Sequence, residues 1–379
     1  MTDLRRDPPP GRRSLGSLTL LAYYNSYPSS RIQHFCTGQW YLLVMEELQR
    51  LGYVDRAEAW FVSDVPQTFT MHNVTVRCFR SFTEMARASA ATDVLWVRGK
   101  CGPYVEVLNA IPARLRVYYA ASKRFVPLEW NHFDVLLVDD TRMVEPVRRL
   151  AGNSSVFKVV KTADPRIFRP LAGVAKRFDL CMIGGMHITR KNFDALVRVL
   201  CADPALSAVI VGKQTADLRQ ALDKTGSSIA YFDFLGREEL NRVINECRVG
   251  FVPSVLDAAP RVIMEYLAAG VPVLLNAAVL GGRDYITPET GLLATVHEFS
   301  AAARQLLAGS NSLNPRKGFD EDFHPEKAAR HLGEIMIAEL DRRGRVEPAR
   351  PPSLLRRLVS RPFMLRRRLA RYWQEIEAE

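Results

Sequence analysis

The sequence predicts an α/β protein built from two similar halves, and three observations predict it. Short apolar runs recur along the 379 residues, separated by stretches of helical or loop length, the alternation that parallel sheets with crossover helices produce. The pattern restarts after about residue 160, past a polar, proline-punctuated stretch from Lys161 to Pro170 that suits a connection between domains. Finally, residues 248–276, RVGFVPSVLDAAPRVIMEYLAAGVPVLLN, carry a complete strand, loop, helix and strand.

In chain order, residues 1–13 are rich in Pro and Arg and read as disordered. Leu18 to Ala22 begins the first half as a strand, followed by a loop at 23–28. Gln39 to Leu51 has the apolar spacing of an amphipathic helix that ends before Gly52. Further strands are expected at Ala59–Val62, Val74–Phe79, Asp93–Val97, Arg116–Tyr119 and Val135–Val138. In the second half Leu180–Ile183, Ala208–Val211 and Ile229–Phe232 read as strands, and Asn192–Leu200 and Glu238–Cys247 as helices.

Gly250–Pro253 then reads as a buried strand, with Ser254 and Asp257 in the loop at its carboxyl end, where open parallel sheets bind ligands. Pro260 fits the first turn of the next helix, and Gly270 followed by Pro272 closes it. Val262, Ile263, Tyr266 and Leu267 recur at helical spacing toward the sheet, which leaves Glu265 on a different face, either solvated or facing a ligand. Asp257 suits a helix cap as well as a ligand contact. Residues 323–340 form a long amphipathic helix, so the expected division is 14–160, 161–322, a closing helix at 323–344 and a tail at 345–379.

The hydrophobic share, 47%, is that of a globular protein. The net charge of +11 lies mainly in the tails: 345–371 hold nine Arg against one Glu, and 1–13 four Arg against two Asp. Six cysteines are scattered without C-x-x-C spacing; several, such as Cys181, fall in apolar runs and read as small core residues, and a reducing compartment fits best. No apolar stretch is long enough to span a bilayer, and the first residues lack the apolar run of a signal peptide. A cytoplasmic protein is expected.

Four stretches, in order, resemble the retaining GT-B glycosyltransferases of family 4, the glycosyl transferases group 1 type. Thr162-Ala163-Asp164 through Phe168 and Pro170 is similar to the family's N-G-V-D-x-x-x-F-x-P. Gly185 through Lys191-Asn192 resembles its G-R-x-x-x-x-K-N loop, and Leu235-Gly236 through Leu240 its L-G-x-x-x-x-x-L, with three rather than five residues between Gly and Leu. Asp257-x7-Glu265 between PS and AAGVPV, followed by Gly281-Gly282 and Glu289-Thr290-Gly291-Leu292-Leu293, resembles its signature region. Three departures stand out: Asp257 replaces Glu, Ala258-Ala259-Pro260 replaces G-F-G, and Met186 replaces the Arg of G-R.

The resemblance implies a GT-B architecture, two Rossmann-like domains facing a cleft, with the donor held by the C-terminal domain and the acceptor by the N-terminal one. It implies a nucleotide-sugar donor lying against Gly185, Arg190, Lys191, Ser254, Asp257, Ala258, Ala259, Arg261, Val262 and Glu265. Among these Glu265 would accept from the ribose diol, Lys191 with Arg190 would neutralise the diphosphate, and Asp257 would lie near the donor sugar, so that Asp257, Lys191 and Glu265 carry the catalysis. No metal and no cofactor is expected: Asp139-Asp140 is a pair of adjacent acids, not Asp-x-Asp. His34, His132 and Arg98-Gly99-Lys100 are acceptor-side candidates, each with an ordinary structural alternative.

The acceptor is expected to be a glycan, a lipid-linked molecule or a small molecule. Residues 353–373, SLLRRLVSRPFMLRRRLARYW, alternate apolar pairs with Arg clusters and suit an anionic membrane surface, with no nucleic acid expected as partner. Two other activities fit the same motifs, a catalytically silent GT-B module that binds glycan or nucleotide and a GT-B sugar-nucleotide epimerase.

Overall fold

Two separate parallel-dominated sheets organise the computed structural model, which describes residues 14–22, 29–88, 90–98, 111–119, 133–184, 191–309 and 312–343. The basic segment 1–13, the tail 345–379, Gly185, Arg190, Gly99, Lys100 and His132 lie outside the described residues.

The first sheet comprises Ser17–Ala22 (β1), Arg56–Val62 (β2), Gln67–Met71 (β3), Val74–Phe79 (β4), Thr92–Arg98 (β5), Ala113–Tyr119 (β6), Val135–Val138 (β7) and Ser155–Lys158 (β8). Its order is β3-β4-β2-β1-β5-β6-β7-β8, all parallel except β3, which runs against β4. β3 and β8 are not among the strands expected from the sequence. In β3 the side chains alternate between half-buried and exposed, as on a polar edge strand, and the His72-Asn73 turn that joins it to β4 has both residues at positive φ. A turn of that shape usually announces itself through Asn-Gly, which is absent here.

The second sheet comprises Phe178–Ile183 (β9), Ala208–Val211 (β10), Ile229–Phe232 (β11), Cys247–Val252 (β12), Val273–Asn276 (β13) and Gly291–Ala294 (β14), in the order β11-β10-β9-β12-β13-β14 and parallel throughout. The chain leaves β9 toward β10 and β11, then returns to the other side of β9 as β12. The carboxyl ends of β9 and β12 therefore flank the point where the winding reverses, the place where such sheets bind ligands.

The helix Val262–Ala268 is buried over its whole length, Glu265 included, so this acid is not solvated. It lies so close to β12 that the Tyr266 ring occupies the space a side chain at Gly250 would need, and the Tyr266 hydroxyl donates to the Cys181 carbonyl (2.7 Å). Gly270, at φ +76°, ends the helix in the left-handed turn expected of it. The helix Pro325–Arg343 crosses back to the first unit: Ala328, Ala329, Leu332, Ile335 and Met336 share a core with β1 and the helix Trp40–Arg50. Among the described residues no helix is long and apolar enough to cross a membrane. Cys36, Cys78, Cys181 and Cys247 are free and buried, as small core residues are.

Candidate active site

Two loops meet at the reversal point of the second sheet. The loop after β9 delivers Lys191, and the loop after β12 delivers Ser254 to Pro260. Lys191 Nζ stands 2.7 Å from Asp257 Oδ2, with both side chains less than one-fifth exposed. Asn192 holds this pairing in place. It sits in the left-handed conformation that Asn tolerates, and its amide donates to the Pro253 carbonyl (3.2 Å), which also accepts from Asn276 (3.0 Å). The loop carrying the cation is thus tied directly to the strand carrying the carboxylate.

Asp257 does not cap the following helix, whose first residue lacks a side-chain cap. Its carboxylate pairs with Lys191 instead. Glu265, 4% exposed, faces Arg261 Nε at 3.4 Å and Arg237 Nη2 at 4.0 Å. Burial pulls the Arg237 guanidinium below its ordinary pKa, the Glu265 charge pulls it back, and the group lies over the Phe168 ring at 4.9 Å. Arg261 reaches across to the first unit and donates to the Gly38 carbonyl (2.7 Å).

Ser254, Ala258 and Ala259 are buried against this loop, and Val262 belongs to the second unit's hydrophobic core, so its side chain packs rather than faces the cleft. Gly281 packs against the Ala258 carbonyl so closely that no side chain fits there. Among the described residues no cluster of three or more His, Cys, Asp or Glu side chains converges as metal ligands do.

The opposing wall comes from the first sheet. Tyr119 at the end of β6 donates to Asp139 Oδ1 (2.6 Å) just past β7, and Lys161 Nζ lies 3.2 Å from the same carboxylate. Lys161 also donates to the Ala259 carbonyl (3.0 Å), so this wall touches the loop after β12. Arg98, at the end of β5, stacks over the Tyr41 and Tyr119 rings at 5.1 and 5.6 Å. His34 is exposed on the helix Ser29–Thr37 and meets Phe234 of the second unit at 5.4 Å.

Sequence reasoning missed Arg237, Tyr119, Asp139 and Lys161. Arg237 follows the matched Leu235-Gly236 pair, so its position carried a signal; the other three come together only through strand order.

Two Rossmann-like units facing each other through the carboxyl ends of their strands define the GT-B fold of glycosyltransferases. Residues 177–309 match the family model described as "Glycosyl transferases group 1". Solved structures similar to this chain include sucrose-phosphate synthase from Thermosynechococcus elongatus, at 15% identity over 87% of this chain and 100% of that one (TM-score 0.63). Anabaena Alr3699/HepE in complex with UDP and glucose is similar at 13% identity over 85% and 99% of the two chains (TM-score 0.62). Trehalose-6-phosphate synthase OtsA is similar at 10% identity over 88% and 100% (TM-score 0.58). Among curated proteins none matches.

Proposed function

We propose that the protein is a glycosyltransferase that moves a sugar from a nucleotide-sugar donor to an acceptor hydroxyl with retention of configuration and without metal. The observation that carries this reading is the Lys191–Asp257 pair at the reversal point of the second sheet, inside the segment that matches the family model, with Glu265 buried beside Arg261 on the helix that follows the same loop. Complexes of similar folds with UDP and sugar add to it.

Lys191 would neutralise the diphosphate as the bond between the anomeric carbon and the phosphate oxygen breaks and negative charge gathers on the leaving group. Glu265, held by Arg261 and Arg237, would accept from the ribose diol. Asp257 would face the donor sugar. The acceptor oxygen bonds to the anomeric carbon from the face the phosphate leaves, and its proton passes to the departing phosphate, so no protein base is required.

Glycan and lipid-linked acceptors both fit, and the basic 353–373 segment would bring the cytoplasmic enzyme to an anionic membrane. Incubation of the whole chain with a panel of nucleotide sugars and acceptors in EDTA tests the reading, with NMR of the product's anomeric centre reporting retention. Glu265→Ala is expected to abolish transfer; full activity of that variant would refute the site. A second reading, a binding module without turnover, is favoured by Pro260, which has no amide to offer where the family pattern has Gly. Calorimetry that finds nucleotide binding while every donor stays intact would select it.

A further inference from the structure

Lys161 and Asp139 form a buried ion pair that belongs to neither of the two loops described as the donor site. Lys161 is 7% exposed and Asp139 1% exposed, and they come from opposite sides of the domain boundary. Asp139 closes β7 of the first sheet, while Lys161 opens the connection to the second unit. The backbone N–H of Lys161 donates to the Tyr285 hydroxyl (3.3 Å), and its ammonium donates to the Ala259 carbonyl (3.0 Å). Its charge also acts on Asp257.

A buried pair of this kind is poor evidence for stability, because well-packed apolar residues of similar volume commonly do as well or better. What an apolar pair cannot do is hold a carbonyl and a carboxylate at fixed places. Ala259 lies in the stretch Ala258-Ala259-Pro260 immediately after Asp257, and the Ala258 carbonyl presses on Gly281 from the other side. The loop is thus fixed between a lysine and a glycine. We propose that Lys161 and Asp139 are positioning residues that lock the Asp257–Pro260 loop against the first unit and thereby place Asp257 for sugar transfer. This rests on the proposed transferase reading for its kinetic consequence, but not for its structural one. Tyr119, donating to Asp139 at 2.6 Å, keeps the carboxylate turned toward Lys161.

The test compares Lys161→Met, Asp139→Asn and the double variant in the full chain. Each single variant leaves one buried group uncompensated and is expected to lower the apparent Tm; the double variant removes both charges and is expected to recover most of it. If the pair positions the loop, the double variant at recovered Tm still exchanges the amide hydrogens of residues 254–263 at least ~10-fold faster than the wild type, because Ala259 has lost its donor. Its kcat falls about 10- to 100-fold, while donor KM and the Kd for UDP move less than about threefold, since Lys191 and Glu265 are untouched. Unchanged exchange in the double variant, or full kcat at recovered Tm, overturns the proposal. If exchange quickens but the wild type itself transfers from no donor, the transferase reading fails while the loop-locking role stands.

Discussion

The pair formed by Lys191 and Asp257 makes a prediction of unusual sign, that removing a candidate catalytic carboxylate tightens nucleotide binding. At 2.7 Å the two charges attract by about 6 kcal/mol at an effective dielectric of about 20. Desolvation and ordering cancel most of this. Exposed pairs are worth about 0.2–1 kcal/mol, and breaking a fully buried pair costs about 3–5 kcal/mol. With both side chains less than one-fifth exposed, an intermediate net value of about 1–2 kcal/mol applies to this pair. A diphosphate that takes Lys191 must first draw it away from Asp257. In Asp257→Asn that competition is gone, so the Kd for UDP, measured by calorimetry, should fall about 5- to 30-fold. Transfer from the nucleotide sugar should fall in the same variant. Because any lost negative charge favours an anion, the measurement is repeated in a Lys191→Met background, where the gain should largely vanish. An Asp257→Asn protein that binds UDP no better than the wild type, or an equal gain without Lys191, would show that the phosphate does not compete for this lysine.

Other expectations follow from packing and charge at the same site. Gly281→Ala would drive a methyl group into the Ala258 carbonyl, and an overpacking cost of about 1–3 kcal/mol should lower the apparent Tm and abolish nucleotide-dependent stabilisation in a thermal-shift assay. Tyr266→Phe removes the hydrogen bond to the Cys181 carbonyl; about 1 kcal/mol and a Tm lower by about 2–4 °C are expected, with donor KM unchanged. Burial raises the Asp284 carboxyl, but hydrogen bonds from Lys158 and Thr141 outweigh this and hold it below its ordinary 3.8. Its contribution to stability is therefore full above its unfolded-state pKa and is lost as pH falls through the lower folded value. Because Asp284 joins the second unit to the first, peptic cleavage near residues 158–170 should accelerate in that acid window, and Asp284→Asn should flatten the response.

Most of the second unit was legible because its elements announce themselves locally. Ala208–Val211 and Ile229–Phe232 are short apolar runs between helices, and they fall in the structure with the ends the pattern gave them. Lys191 and Asp257 could be nominated from motif spacing, and they prove to be neighbours. Glu265 was nominated too, but its burial was not legible. The 3.6-residue period assigns one face of the helix Val262–Ala268 to the sheet, and nothing in it says that the opposite face is covered by Arg237 and Arg261 reaching toward Gly38.

The first unit's contribution was illegible for a different reason. Arg98 is a candidate from the sequence alone, but Tyr119, Asp139 and Lys161 are spread over 43 positions, and none stands in a motif that predicts the others. They converge because β5, β6 and β7 are adjacent in the parallel sheet and end at the same edge, so residues just at or past their carboxyl ends must share a wall. Asp139 reads as one of two adjacent acids and Lys161 as a cation in a linker until that edge is known. Once it is known their burial becomes informative, because burial pushes the Asp139 carboxyl up and the Lys161 ammonium down while each charge counters the other's shift, and such a pair is geometrically demanding. Among the described residues Lys161 brings the ammonium that pairs with Asp139, and the same ammonium donates to the Ala259 carbonyl. Stability alone does not call for that constraint, whereas the proposed locking of the Asp257–Pro260 loop does.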